Sequence, residues 1–438
     1  MIHAFTRPRF TKAPTGDPAH TRPGAPLATA ARRMLPLLLA LPGLAIAHGV
    51  ALDPPADEDR LIRFPDTGDY LTLVVDLHTH SVFSDGHVWP RIRVGEALRD
   101  GLDALAITEH LEWQPHRVDI PHPDRNRAHA EAVAAAAAAG HELMIVAGTE
   151  ITREQPAGHM NAVFIEDANV MLKVAPEAET DDAEDYYIAA NRWPPERAVQ
   201  AANDQGAFVF WNHAWWQSPD NPAAPTVMTD FHRGLIESGQ LHGIEIANGI
   251  AYAEDAFQLA LDHGLTPLGV SDVHELIDWD YRPAAGGHRP VTLVLAAERS
   301  QAALREALFA GRTVVWFEET LIGREPHLVS LLRAALDVDE VNYNALHNLV
   351  YVTVSNASDA PIRLRNRGGY SMPGQTGDVE VPPHGTAQFA LRSDAVPGEV
   401  ELDFEVLNAL IAPKVHPRLT HKLRIEAAGG VDQVDLAR

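Results

Sequence analysis

The sequence predicts an α/β chain built around a parallel barrel and followed by a small all-β sandwich. Strand-like apolar runs alternate with helix-like segments over about 250 residues, the rhythm of β/α units. Histidines and carboxylates bunch where those strands stop, and a barrel gathers its strand C-termini at one face. From about Asn342 the texture changes to short alternating strands separated by turn-rich linkers, the pattern of a sandwich. The predicted organisation is a leader over 1–47, a barrel over 48–325 and a β-sandwich accessory domain over 326–438.

The leader is read from Arg32-Arg33, the apolar run Met34 to Ile46 and the small-x-small pattern Ala45-Ile46-Ala47. This is an export signal that implies a periplasmic or secreted protein. Twin arginines suit Tat export, Sec remains open, and Met34 is an alternative start. The apolar run is too short to span a bilayer, and no later run reaches the ~20 apolar residues a membrane helix needs. The leader holds six Lys or Arg and one acid, so the remainder has 35 − 6 = 29 bases and 60 − 1 = 59 acids, net −30. That excludes nucleic acid as a general partner, because a polyanion needs a basic footprint. A small phosphate ester stays possible, since bound divalent ions dominate their local field. With 438 residues, 46% of them hydrophobic, the chain has material for two cores. No cysteine is present, which excludes disulfides, thiolate metal sites and a cysteine nucleophile and leaves His, Asp and Glu to bind metal.

Taken in order, strands are expected at 71–77, 104–108, 143–151, 160–165, 207–212, 243–247 and 267–271. Helices are expected at 90–100, 124–139, 196–205, 252–263 and 300–310, several closed by glycine. The run Ala132 to Ala139 reads as a helix lying close on a sheet. Two inserts, 166–195 (acidic, with aromatics) and 214–232 (with Trp215, Trp216 and prolines), read as solvated loops or as active-site lids.

Chemistry concentrates at strand ends. The first strand runs into Asp76, His78, His80 and Asp85; side chains two apart share a face, so His78 and His80 can present two imidazoles to one ion. An isolated pair of this kind also serves as an ordinary hydrogen-bonded strand end. Further candidates follow, however. ALAITEH delivers His110, VAGTEIT Glu150, GHMN His159, FVFWNH His213, and LGVSDVH Asp272 and His274. Apart from Asp76, nine such residues at strand ends point jointly to a metal centre.

In that order, DLHTHSVFSDG, ITEH, GTE, GHMN, NH and SDVH resemble the PHP (polymerase and histidinol phosphatase) metal-dependent hydrolases over roughly residues 71–325. The resemblance implies a distorted seven-stranded (β/α) barrel with two or three divalent ions, Mn or Zn and also Fe. It implies that His78, His80, Glu150 and Asp272 hold one ion and that Glu150 bridges to a second held by His159 and His213. Asp85, His110 and His274 form a third site or, with two ions, remain orienting and acid/base groups. One departure is ITEH where TDH is commoner, which puts Glu109 beside the ligand. The segment RPVTLVLAAERSQAALREALFAGRTVV and the β domain also look like PHP metallohydrolases related to carbaryl hydrolase, and like phosphodiesterases acting on small organophosphate diesters.

The expected reaction is in-line attack on a phosphoester by a water that two ions bring to a pKa of ~7, with the ions clamping the phosphoryl group. Asp272 is the candidate to orient that water and take its proton, and His213 or His274 the candidate acid. Trp113, His116, Asn161, Trp215, Asn248, Tyr281, Arg282 and Arg289 are candidate mouth contacts, the two arginines foremost because arginine matches phosphate oxygens. The alternatives are a carbamate or carboxylic ester hydrolase with the same centre, a phosphomonoesterase, or a non-catalytic binding module. A serine hydrolase is excluded by the lack of a G-x-S-x-G elbow around Ser271.

Overall fold

Both edges of β1 (Leu71–Asp76) are paired and its interior residues are withdrawn from solvent, so the other strands are placed relative to it. The structure, a computed structural model, describes residues 60–175, 180–216, 225–392 and 398–425. The expected leader lies outside the described residues, as do parts of both inserts.

β2 (Ala104–Ile107) and β3 (Met144–Thr152) continue the sheet in parallel register. They are reached through helices Pro90–Arg99 and Arg127–Ala139. The alanine-rich helix buries Ala128, Ala132, Ala135 and Ala136 in the cluster that holds Leu105 and Ile107, as small side chains permit. It ends at Gly140, whose φ of 70° is the left-handed cap that glycine adopts without cost.

The parallel rhythm then breaks. β4 (His159–Val163) lies antiparallel between β3 and β5 (Phe208–Trp211). Only residues 153–158 connect β3 to β4, and a parallel crossover takes a dozen residues or more, so the chain returns as a hairpin. Parallel pairing resumes at β6 (Gly243–Asn248), which carries the short β7 (Ala251–Tyr252) on one side and pairs with β8 (Thr266–Val270) on the other. The sheet curls until the end of β8 meets the end of β1. There His80 N donates to Val273 O (3.1 Å) and Asp272 N to His78 O (2.9 Å).

Three strands that the sequence reading did not place extend the sheet past β1: β9 (Val291–Ala296), antiparallel to it, then β10 (Thr313–Phe317) and β11 (Thr320–Gly323). Helix Glu325–Ala335 leads into a second lobe. Its strands are β12 (Leu336–Asn344), β13 (Leu349–Asn356), β14 (Ile362–Asn366), β15 (Asp378–Val381), β16 (Thr386–Arg392), β17 (Glu399–Val406), β18 (Ala409–Leu410) and β19 (Arg418–Arg424). Seven of them form a three-stranded sheet, β12-β13-β16, and a four-stranded one, β15-β14-β17-β19, while β18 joins the large sheet. Burial alternates along β13 and β17, as in sheets with one wet face. Phe389 and Phe404 meet edge to face between them at 5.5 Å.

The fold is thus a mixed α/β chain with a curled sheet and separate small β sheets. The lobes are joined by more than a linker. β18 pairs in parallel with β11, Asn408 donates to the carbonyls of Glu319 (2.7 Å) and Pro361 (2.6 Å), and one apolar cluster runs from Leu105 through Leu328 and Leu331 to Val352 and Phe404. No helix among the described residues is long and apolar enough to cross a membrane.

Candidate metal centre

All nine residues singled out at strand ends come together at the rim where β1 and β8 meet. Three overlapping groups place one donor atom per residue within 4.8 Å of one another: His80, Asp85, His110 and His274; His78, His80 and Asp272; and His110, Glu150 and His159. His213 Nε2 stands at the edge, 3.7 Å from Glu150 Oε1 and 3.9 Å from Asp272 Oδ2. The alternation of β1 carried past its end puts His78 Nε2 and His80 Nε2 3.0 Å apart, each 3.1 Å from Asp272 Oδ1.

Glu150 divides its carboxylate between two sets of partners. Oε1 takes His159 Nδ1 and Asn212 Nδ2, both at 2.9 Å, and Oε2 faces His110 Nδ1 (2.6 Å), His80 Nε2 (3.4 Å) and His78 Nε2 (3.6 Å). Oε2 accepts no aligned hydrogen bond, and neither does Asp85 Oδ1, which has His274 Nε2 at 3.1 Å and His110 Nε2 at 3.3 Å. Buried carboxylate oxygens normally collect aligned donors. Two that instead point into a knot of imidazole nitrogens fit a site built for cations, and the all-N,O donor set suits Mn, Zn or Fe.

The surroundings aim these groups. His80 Nδ1 lies 3.2 Å from Ser84 Oγ, which donates to Glu109 (2.5 Å), as do Ser81 Oγ and Ser81 N. The residue that departs from the commoner motif therefore orients a ligand through Ser84. Thr152 Oγ1 sits 2.6 Å from His110 Nδ1. Gly86 is required by close approach, since a Cβ there would lie 2.7 Å from the His80 carbonyl carbon. His213 and Asp272 have φ of 25° and 50°, left-handed backbone that side chains seldom adopt and that clusters at functional sites.

Charges are tightly coupled here. Burial opposes ionisation of Asp85, Glu150 and Asp272, yet the surrounding histidines hold all three below the usual carboxylate range. Burial, with His274 and His110 alongside, lowers His80 to about 3, whereas the neighbouring carboxylates outweigh burial and raise His78, His110, His213 and His274.

Several expected mouth contacts lie elsewhere. Arg289 is fully buried and bridges Asp76 Oδ2 (3.1 Å) and Asp100 Oδ2 (2.6 Å) beneath the centre. Trp215 belongs to the core; its neighbour Trp216 is the exposed one, its ring 5.1 Å from that of His213. Asn248 is engaged with Glu245 and Asp272, and Tyr281 Oη donates to Ser271 O (2.7 Å). Trp113 packs edge-on against Tyr187 of the first insert, His116 is half-buried, Asn161 is fully buried, and Arg282 is exposed. Missed by sequence reading were Asn212, on Glu150, and Glu245, on His78. Glu245 has one signal, a lone acid within the apolar strand GIEIA.

The chain is 36% identical to a two-domain protein from Bacteroides vulgatus containing a predicted PHP-like metal-dependent phosphoesterase, with a TM-score of 0.72 over 83% of this chain and 98% of that one. This chain belongs to the PHP-like metal-dependent phosphoesterases. A putative metal-dependent phosphoesterase from Bifidobacterium adolescentis matches at 20% identity and a TM-score of 0.33, over 46% of this chain and 88% of its own. An Ig-like domain family matches residues 336–422, the second lobe of this PHP-like phosphoesterase. No curated protein matches the chain.

Proposed function

We propose that this chain is a metal-dependent phosphodiesterase acting on small organic phosphodiesters. The nine-residue centre would hold two or three divalent ions, Mn or Zn foremost, within a seven-stranded barrel counted along β1 to β6 and β8. His78, His80, Glu150 and Asp272 would hold one ion, with Glu150 shared to a second at His159 and His213. Such ions would supply a water with a pKa of about 7 and positive charge against the phosphoryl oxygens. Asp272, its Oδ2 held by Asn248 Nδ2 at 3.1 Å, would orient the attacking water and take its proton. Where Asp85, His110 and His274 hold no ion, His274 serves as the acid to the leaving oxygen. It is the most exposed of the centre's six histidines and its Nδ1 lies against Asp272 O at 2.8 Å, whereas His213 is nearly buried beside Trp216.

One observation supports a diester above all. Among the described residues every ion pair of Asp85, Glu150 and Asp272 is to a histidine, none to Arg or Lys. Arg289 is committed inward, so the cations once expected at the mouth reduce to Arg282. A phosphomonoester dianion asks for more positive charge than a diester monoanion, and exposed Trp216 offers apolar surface to an ester substituent. With Mn-reconstituted protein, kcat/KM for bis(p-nitrophenyl) phosphate should exceed that for p-nitrophenyl phosphate by about tenfold or more, ~1.4 kcal/mol. Equal rates, a monoester preference, or faster cleavage of an aryl carbamate would overturn the proposal.

A further inference from the structure

Glu245 is fully buried at the middle of β6 and is neither a strand-end residue nor within any of the three donor groups. A carboxylate so placed must be accounted for by its partners, because burying one unpaired is prohibitive. Its partners are all parts of the metal centre. Oε1 lies 2.7 Å from His78 Nδ1. Oε2 accepts the backbone N–H of His213 at 2.6 Å and Asn248 Nδ2 at 2.9 Å, and the same Asn248 amide reaches Asp272 Oδ2 at 3.1 Å. One side chain thus touches His78, the backbone of His213 and, through Asn248, Asp272.

We propose that Glu245 is a positioning residue of the metal centre, holding His78 in the Nδ1–H form so that its Nε2 lone pair faces the ion, and fixing the turn that presents His213. The chemistry is directional. An ionised carboxylate only accepts, so the imidazole nitrogen beside it must carry the proton, and a neutral imidazole has one N–H and one lone pair. His78 Nε2, the nitrogen left bare, points at Asp272 Oδ1 and His80 Nε2. Partners of this kind set a ligand's tautomer and ring angle, and losing one costs about 10–100-fold in metal affinity. The second oxygen has a separate task. At φ 25° the backbone of His213 is held in a sparsely populated conformation, which persists only when surrounding contacts determine it, and the bond from its N–H to Glu245 is such a contact.

Glutamine at 245 is the informative change because it keeps the shape and loses one acceptor. If its oxygen takes the His213 N–H, its NH₂ faces His78 Nδ1, which must then accept, and the ring proton moves to Nε2 where the ion should be. The inference rests on the proposed metal reading, so the experiment carries a control. Zn²⁺ binding to chelator-stripped protein is measured by competition with a chromophoric chelator for wild type, Glu245→Gln, Glu245→Ala and His78→Asn. We expect His78→Asn to lose an ion, Glu245→Gln to weaken the affected ion about 10–100-fold, and Glu245→Ala to weaken it at least as much. If His78→Asn binds like wild type, the ligand assignment itself is wrong. If His78→Asn loses an ion while Glu245→Gln binds like wild type, only the role of Glu245 is overturned. Should the Glu245 variants not fold, wild-type protein labelled with ¹⁵N-histidine decides the matter by NMR, with and without Zn²⁺. A His78 Nδ1–H signature supports the inference, and an Nε2–H signature contradicts it.

Discussion

Glu150→Gln is expected to empty most of the metal centre and to lower phosphoesterase activity by about a thousandfold or more, ~4 kcal/mol of transition-state stabilisation. The change is isosteric, so the effect must come from charge and donor character. Glu150 is fully buried, and its two oxygens serve different neighbours: Oε1 meets His159 and Asn212, Oε2 faces His110, His80 and His78. An amide in its place offers one acceptor where two are used, and it turns an N–H toward imidazole nitrogens that should face cations. His274→Asn should cost much less metal, because His274 sits at the rim, a third exposed, and belongs to one donor group. Elemental analysis of the two purified variants checks the order. Full metal content in Glu150→Gln would remove the bridging role.

Arg289→Ala should destabilise the protein by about 3–5 kcal/mol, the cost of stranding a buried charge. Asp76 loses its ion-pair partner and, among the described residues, Asp100 is left with Arg60 Nε alone, at 2.5 Å, both carboxylates being almost wholly buried. Asp76 also receives Ser271 Oγ at 2.6 Å and Ser271 N at 3.1 Å, so its displacement reaches the segment that carries Asp272. Urea unfolding should show an earlier midpoint, whereas Arg282→Ala, an exposed residue, should stay within about 0.5 kcal/mol of the parent. Equal midpoints for Arg289→Ala and the parent would show that this buried network is not stabilising.

These two residues also mark how far the sequence was legible. Glu150 and its eight companions were readable because strand ends in a β/α chain converge whatever their separation, and because the two-residue period of β1 sets His78 and His80 on one side. Arg289 was not. It follows Gly286-Gly287-His288 and reads as loop, and only the antiparallel pairing of β9 on β1 carries it under the site. Nor did the strand pattern reveal that β4 runs antiparallel, although the six residues from 153 to 158 hold the reason. Trp215 and Trp216 are neighbours in irregular chain, where no periodicity says which one faces the core. Glu245 was missed because its strand reads as a buried apolar run, and the acid within it gains meaning only from His78 and His213, which the curled sheet brings to it. In the second lobe, five of the eight strands follow from alternation, while short β15 and β18, and β12 beginning at Leu336, lie outside the runs that alternation marked.

These nine side chains are proposed to form a metal centre that drives phosphoester cleavage. The direct measurement is the metal content of the purified protein by mass spectrometry, taken with its activity on bis(p-nitrophenyl) phosphate before and after chelation and Mn²⁺ return. The predicted result is about two or three equivalents per chain, activity abolished by chelation and restored by Mn²⁺. Less than one equivalent per chain, together with cleavage that chelation leaves unchanged, would contradict it.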